Sequence, residues 1–149
     1  MKPFKYRMQT KLDVASLEEQ MAKEDLQFRS RERDRIQTEL EDIIHRQLEM
    51  EQSMIVLILE GFSMDEFMIY KDYIPVIKEL RANKAEELAL AERNFENARL
   101  VLVEKTRETQ TLKKLKDKEW NIYLQEVLRE EQRDIDEVAI NRHYRNNLS

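Results

Sequence analysis

Two histidines, and neighbouring carboxylates such as Asp134 and Asp136, are the side chains of this 149-residue chain that could support catalysis or metal binding. His45 and His143 have no second histidine at ligand spacing, and the chain has no cysteine to complete a metal site. Asp134 and Asp136 could exchange protons with a substrate only inside a walled pocket that shifts their pKa values. We therefore expect no metal, no cofactor and no catalytic residue, and we predict that the chain is not an enzyme.

The composition predicts that the chain is almost entirely α-helical. Charged residues make up 38% of it, and one glycine and two prolines are too few for the tight turns of β-sheets. The net charge of −5, with both signs interleaved, argues against a dedicated nucleic-acid binder. The longest apolar run, Met54 to Leu59, is far shorter than the roughly 20 residues of a membrane span, and no signal peptide is visible. We expect a cytosolic protein without a transmembrane segment.

The chain is expected to reverse direction at Gly61, its only glycine. Gly61 follows an apolar run and suits the left-handed residue that commonly ends a helix. Ser63 and Glu66 have the S-x-x-E spacing of a capping box, which predicts that a new helix starts there, with Phe62 and Phe67 at the staple positions. The chain on either side of Gly61 therefore forms two arms.

A short helix is predicted at the tip (residues 61–75), from about Met64 to Lys71. Either Asp72 or Pro75 opens the next helix, since proline is harmless in a first helical turn, and the sequence leaves this choice open. The large apolar side chains near the tip outnumber those that two helices and a turn can bury. They predict a partly exposed docking surface, with a local core as the alternative. These residues are Met54, Leu57, Phe67, Tyr70, Tyr73 and Ile74.

Both arms carry the alternating three- and four-residue spacing of a coiled-coil seam. Arm one (about residues 4–60) places at seam positions Ala15, Ala22, Leu26, Ile36, Leu40, Ile43, Met50, Met54 and Leu57, with Glu19, Arg29, Arg33 and Gln47 in the gaps. Arm two (about residues 76–145) places there Leu88, Ala91, Phe95, Ala98 and Leu102, slips after Thr109 through Leu112 and Leu115, and resumes with Trp120, Tyr123 or Leu124, Val127, Ile135 and Val138. The slip is typical of a stutter.

A long helix with so narrow an apolar stripe needs a partner helix, which is most simply the other arm. The predicted fold is all-α: a long antiparallel two-helix coiled-coil hairpin with a short helix at its tip, in a single domain of residues 1–149. Folding about residues 65–70 would pair Leu40 with residues 95–102, and residues 29–35 with residues 105–118. Arm two is longer by about 25 Å, so its C-terminal segment is expected to overhang. The alternative is a dimer of extended chains.

Two clusters of basic residues interrupt the acidic chain. Most such runs are solvated helix faces held in i,i+4 ion pairs, and binding to a partner is the alternative. They are Arg29, Arg31, Arg33 and Arg35 in arm one, and Lys113, Lys114, Lys116 and Lys118 in arm two. The predicted pairing would bring the two clusters together in a basic band at the middle of the hairpin.

The segment Arg129 to Ala139, REEQRDIDEVA, followed by Arg142, resembles the C-terminal signature of the FliJ family. Phe4, Tyr6, Met8 and Leu12 at the start of the chain, and the segment 18–23, are similar to that family's N-terminal pattern. The resemblance spans the whole length of the chain. Members of this family are coiled-coil stalks and general chaperones of the bacterial flagellar type III export apparatus.

The resemblance implies a non-enzymatic protein that is similar to the central stalk of rotary ATPases. Its expected partners are the hexameric export ATPase, whose assembly it would promote, the cytoplasmic domain of the membrane export gate, and export chaperones. Its expected location is the cytoplasmic face of the inner membrane at the flagellar base. The gate would then bind the apolar tip. The alternatives are an adaptor coiled coil without an ATPase partner, and a helical hairpin that binds nucleic acid through the basic band.

The C-terminal block is the candidate ATPase-binding surface. Val127, Ile135 and Val138 are expected to face arm one, which leaves the charged residues between them solvated. Contacts between exposed charges contribute at most about 1 kcal/mol each. Because they are weak, a stalk can break them with one subunit of a ring and form them again with the next. The predicted ATPase-binding residues are Glu130, Gln132, Asp134, Asp136, Glu137 and Arg142, with Phe4 and Leu12 packing beneath them.

Overall fold

The computed structural model describes residues 1–61 and 63–148. They form two long helices that pack against each other, α1 (Gln9–Glu60) and α2 (Met64–Leu148), and the described residues contain no β-strand. The predicted all-α helical hairpin is confirmed. Contacts divide the chain into two compact units, a terminal unit (Met1–Glu19 with Glu104–Ser149) and a turn unit (Gln20–Val103). Whether the whole chain folds as one domain stays a prediction.

The turn between the helices follows the predicted local chemistry. Gly61 has a φ of +89°, the left-handed conformation that side chains with a Cβ rarely adopt. The Ser63 hydroxyl accepts a hydrogen bond from the backbone N–H of Glu66 at 3.3 Å, and the Ser63 carbonyl accepts one from Phe67 at 3.2 Å. Ser63 is therefore the N-cap of α2. The predicted staple partner Phe62 lies outside the described residues.

The prediction of a separate short helix is wrong. Residues 64–71 are the first turns of α2, and Pro75 lies inside the helix instead of opening it. A proline in a helix interior removes one backbone hydrogen bond and costs about 3 kcal/mol. Here the helix continues because its neighbours pack: Ile77, two residues further on, is only 1% exposed. Tertiary burial therefore outweighs the local preference of the proline.

The turn unit confirms the seam of α1 and corrects its pairing. All predicted seam positions of α1, including the polar ones, are buried or half-buried. However, Glu39 lies beside Lys84, with Oε2 and Nζ 2.9 Å apart, and the Arg33 guanidinium lies 4.2 Å from the ring centre of Phe95. Leu40 is thus paired about ten residues nearer the turn than predicted, and Arg33 lies beside Phe95 where a residue of 105–118 was predicted. The reason is that α2 begins directly after the turn, with no tip helix in between.

The terminal unit is organised around a small core beneath the start of the chain. Tyr6, Leu12, Ala15 and Leu112 form this core, and Phe4 and Met8 pack against it. Helix α1 begins at Gln9, so the segment 1–8 packs as an irregular chain and not as the first turn of arm one. The core is therefore made jointly by this segment, the first turns of α1 and the middle of α2.

Helix α2 continues beyond the residues that cover it. Every residue from 128 to 148 is exposed, and we call this stretch the C-terminal overhang. The expectation that Ile135 and Val138 face arm one is wrong, since they are 62% and 61% exposed. Helix α1 starts only at Gln9, and the segment before it reaches no further along α2 than a shallow hollow where Met1 lies among residues 126–134. The predicted overhang therefore exists and begins earlier than its apolar pattern suggested.

Candidate functional site

Three aromatic rings hold the N-terminal segment against the base of the overhang. Phe4 lies edge-on to Trp120, with ring centres 5.0 Å apart, and is 5.4 Å from Tyr123. Trp120 and Tyr123 stack at 5.5 Å, and the Tyr123 hydroxyl donates a hydrogen bond to the Lys2 carbonyl at 2.8 Å. We call Phe4, Trp120 and Tyr123 the aromatic cluster. It fixes where α2 stops being covered.

Tyr6 anchors the same segment one layer deeper. Its side chain is 5% exposed, and its hydroxyl donates a hydrogen bond to the Leu112 carbonyl at 2.9 Å. Burial, assisted by the negative charge of Glu119, raises the pKa of Tyr6 above its ordinary value of 10.0. The hydroxyl therefore stays protonated and able to donate at physiological pH.

Of the residues predicted to bind an ATPase, two pack beneath the surface and six are exposed on it. Leu12 is 5% exposed and belongs to the core, and Phe4 is half-buried in the aromatic cluster. The other six are exposed on the overhang: Glu130, Gln132, Asp134, Asp136, Glu137 and Arg142. The Gln132 amide donates to the Asp136 carboxylate at 3.0 Å. The overhang therefore presents these side chains to solvent with few internal partners.

Helical geometry places the charged residues on two flanks of the overhang. Glu130, Asp134 and Glu137 follow one another at spacings of four and three, so they share one flank. Gln132 and Asp136, four residues apart, share the other. An apolar stripe that includes Leu128, Ile135 and Val138 lies between the flanks. The sequence interpretation had assigned part of this stripe to the core, although the unequal lengths of the arms indicated that it would lack a partner.

The residues predicted to form the docking surface at the turn are mostly not its most exposed apolar residues. Met54, Leu57, Phe67, Tyr70 and Ile74 are half-buried, whereas Tyr73 is exposed. The most exposed apolar side chains are their neighbours, which sequence reasoning did not select: Ile55, Val56, Ile58, Leu59, Met64 and Ile69. We call these six residues the turn surface. The signal that could have found them is that none of them occupies a seam position.

The basic cluster of α1 is largely neutralised within the turn unit. Arg35 pairs with Glu32 and with Glu39, whose Oε1 lies 2.7 Å from Nη1. Its hydrogen bond to Glu32, and then that to Glu39, raises the pKa of Arg35, and the hydrogen bond from Arg35 lowers the pKa of Glu32. Arg29 pairs with Asp25 at 3.5 Å. The cluster thus resembles a solvated, ion-paired helix face.

Each residue considered for catalysis or metal binding is exposed on the surface of its own helix. His45 Nε2 is 3.0 Å from Glu49 Oε1, and His143 Nε2 is 3.1 Å from the amide nitrogen of Asn147. Asp134 and Asp136 are exposed on the overhang. Within residues 1–61 and 63–148, no three histidine, cysteine or acidic side chains are placed to hold a metal ion.

No helix in the described part of the chain is both long and apolar enough to span a membrane. Two surfaces of the described residues carry candidate binding residues: the overhang in the terminal unit, with the aromatic cluster at its base, and the turn surface in the turn unit. Both are convex helix faces. Convex faces of this kind suit contact with other proteins, since small-molecule sites are usually concave.

Comparison with known proteins supports the resemblance seen in the sequence. A solved structure of a proposed YscO homolog, CT670, from Chlamydia trachomatis is similar in fold, with a TM-score of 0.65, 16% identity and 99% of each chain covered. No curated protein sequence is significantly similar to the chain. The family profile described as "Flagellar FliJ protein" matches residues 4–148, which is nearly the whole chain and includes both the aromatic cluster and the overhang. The chain therefore belongs to the flagellar FliJ protein family.

Proposed function

We propose that this protein is a non-enzymatic stalk and chaperone of the bacterial flagellar type III export apparatus, and that it binds the hexameric export ATPase through the C-terminal overhang. Membership of the flagellar family supports the setting. The observation that carries the assignment to this end is the overhang itself, in which every residue from 128 to 148 is exposed although the helix is continuous. A helix that its own chain leaves uncovered is available to a partner.

The charged side chains of the overhang suit contacts that break with one ring subunit and form again with another. Asp134, Asp136 and Glu137 are exposed and have no ion pair within residues 1–61 and 63–148. Solvated charges of this kind contribute at most about 1 kcal/mol per contact and are weakened by salt. A protein at the centre of a ring of six identical subunits needs such contacts, because deep apolar contacts would fix one orientation.

The turn surface is the corresponding candidate for the export gate. Leu59 is 79% exposed and Ile69 is 67% exposed, close to the reversal at Gly61. Several large apolar side chains exposed together commonly mark an interaction site. In this proposal the protein works at the cytoplasmic face of the inner membrane, where it connects the ATPase with the cytoplasmic domain of the gate and with export chaperones.

Charge reversal at the overhang tests the proposal. The double variant Asp136→Lys with Glu137→Lys should abolish stimulation of ATP hydrolysis by the purified export ATPase, while helix content measured by circular dichroism stays unchanged. The matched control is Glu41→Lys with Asp42→Lys, an adjacent pair of exposed acids in α1. This control should stimulate hydrolysis as the unmodified protein does.

The salt dependence gives a second measure of the same contact. Stimulation should fall as salt rises from about 50 to 300 mM, because the distance over which exposed charges interact shortens from about 14 Å to about 6 Å. Full stimulation by the Asp136 and Glu137 double variant at every salt concentration would refute the assignment. Failure of the unmodified chain to bind the ATPase at all would instead favour an adaptor role without an ATPase partner.

A further inference from the structure

The apolar stripe of the overhang contains a pattern that, apart from Arg142, the proposed function does not use. Six residues follow one another at spacings of three, four, three, four and three, which keeps them on one helix face. They are Leu128, Glu131, Ile135, Val138, Arg142 and Arg145. All six are exposed, and Leu128, Ile135 and Val138 are each more than 60% exposed. This face is thus a coiled-coil seam without a partner helix.

When two copies of this helix are aligned antiparallel, the side chains that meet are complementary in chemistry. If a second overhang runs antiparallel and is centred between residues 136 and 137, Ile135 faces Val138 of the partner subunit. Glu131 then faces Arg142 of the partner subunit, and each of these two layers occurs twice by symmetry. The spacing is also that of an antiparallel coiled coil. In each layer of such a coil, an a position of one helix meets a d position of the other.

We propose that the partner of this stripe is a second copy of the chain, paired antiparallel through the overhang in a two-fold symmetric dimer. The apolar layers would lie at the centre of the interface. The Glu131–Arg142 layers would flank them and set the alignment, as polar seam residues do in coiled coils. In a parallel alignment, Glu131 would face Glu131 and Arg142 would face Arg142, so like charges would oppose pairing.

The distribution of charge along the overhang favours the same arrangement. Residues 129–137 contain five acidic residues and two arginines, whereas residues 139–148 contain two arginines and no acidic residue. Antiparallel pairing places the acidic half of each overhang against the basic half of the other. Glu131 and Arg142 form no ion pair within residues 1–61 and 63–148, so both are available for a partner.

The interface is small. Six layers bury less than the roughly 1,200 Å² that marks the lower end of stable interfaces, so the dimer should be weak and concentration-dependent. A weak dimer remains compatible with other partners of the overhang. This proposal does not rest on the proposed function, because it concerns the purified chain alone.

A charge swap tests the pairing by sedimentation equilibrium of the full-length chain over a dilution series. The unmodified chain should self-associate reversibly. Glu131→Arg and Arg142→Glu, each alone, should raise the dissociation constant at least tenfold, because each places like charges in both flanking layers. An equimolar mixture of the two variants should associate about as well as the unmodified chain, since opposite charges then meet.

The control is Arg133→Glu, which reverses a charge on the outer face of the overhang and should leave self-association within about twofold. Circular dichroism verifies that all variants keep their helix content. If the unmodified chain stays monomeric up to about 1 mM, the proposal is overturned. Equal weakening by the single variants and by their mixture overturns the assigned alignment, and with it the proposal.

The absence of cysteine allows the direction of pairing to be measured directly. Spin labels at Arg133→Cys and, in a separate sample, at Asn147→Cys report distances between the two copies. Antiparallel pairing predicts axial separations of about 10 Å and about 32 Å, at 1.5 Å per residue. Equally short distances at both positions would indicate parallel pairing and would refute the antiparallel dimer.

Discussion

The Tyr6 hydroxyl and the Leu112 carbonyl, 106 positions apart in the sequence, form a buried hydrogen bond of 2.9 Å. This bond ties the irregular N-terminal segment to the middle of α2. Together with the aromatic cluster, it determines which part of α2 is covered. The candidate ATPase-binding surface therefore depends on a contact that lies outside it.

The first prediction concerns this bond. Tyr6→Phe keeps the ring and removes the donor, so the thermal midpoint should fall by about 2–4 °C, as expected for one net hydrogen bond in a chain of this size. The Leu112 carbonyl also lies within α2, so the cost should be at the low end. Tyr144→Phe, at an exposed tyrosine of the overhang, is the control and should leave the midpoint unchanged.

The same variant should change the behaviour at alkaline pH. The pKa of Tyr6 is raised in the folded protein, so its contribution to stability is complete below the unfolded value of about 10 and is lost as pH rises through the folded pKa. The difference in midpoint between the unmodified chain and Tyr6→Phe should therefore shrink above pH 10. A constant difference between pH 8 and 11 would contradict the burial of this hydroxyl.

The second prediction concerns Thr109, which is 2% exposed. Its hydroxyl has no hydrogen-bond partner within the described residues, and an unpaired buried hydroxyl is destabilising. Thr109→Val keeps the shape and removes the hydroxyl, so it should stabilise the protein by about 1 kcal/mol. Urea unfolding followed by circular dichroism measures this. Destabilisation by more than the fitting error would show that the hydroxyl is paired in solution.

The third prediction concerns acid stability in the turn unit. The hydrogen bond from Lys84, followed by that from Arg35, lowers the pKa of Glu39 below 4.5, its value without these contacts. The resulting stabilisation is present above that value and is lost as pH falls through the lowered pKa of the folded protein. Glu39→Gln should therefore have a lower thermal midpoint than the unmodified chain at pH 7, and the difference should shrink as pH falls below 4.5.

Two comparisons make this measurement specific. The difference should also shrink at high salt, since these groups are partly exposed and are screened. Glu41→Gln, at an exposed acid next to the same network, should give no comparable difference at pH 7. A difference for Glu39→Gln that is independent of both pH and salt would mean that packing, and not charge, is responsible.

The fourth prediction separates packing from docking at the turn. Leu59→Ser with Ile69→Ser changes two exposed residues of the turn surface, and should weaken binding to the cytoplasmic domain of the export gate without lowering the thermal midpoint. Phe67→Ala with Tyr70→Ala changes two half-buried residues and should lower both. Surface plasmon resonance and thermal unfolding give the two readouts. Normal gate binding by the Leu59 and Ile69 variant would exclude the turn surface as the docking site.

The residues that the sequence predicted well are those whose environment is set by spacing alone. Ala22, Ile36 and Gln47 are buried because a regular helix places them on one face and the rest of the turn unit covers that face. The same spacing failed at Ile135 and Val138, since periodicity identifies a face but not what covers it. Pro75 failed for a related reason: its local preference was outweighed by the packing of Ile77, which depends on contacts distant in the sequence. The residues of the turn surface were missed because the docking residues were chosen by the size of their side chains and not by their position around the helix.

The polar contacts between the helices also imply an order in which the protein folds. Their separations in sequence rise steadily with distance from the turn: 34 residues for Gln47 and Arg81, 45 for Glu39 and Lys84, 87 for Glu18 and Lys105, and 106 for Tyr6 and Leu112. Each contact that forms shortens the loop that the next must close, so nucleation near Gly61 followed by zippering costs the least chain entropy. The N-terminal segment, whose Lys2 meets Tyr123 across 121 residues, docks last. We therefore expect the same segment to be released first when the protein begins to unfold.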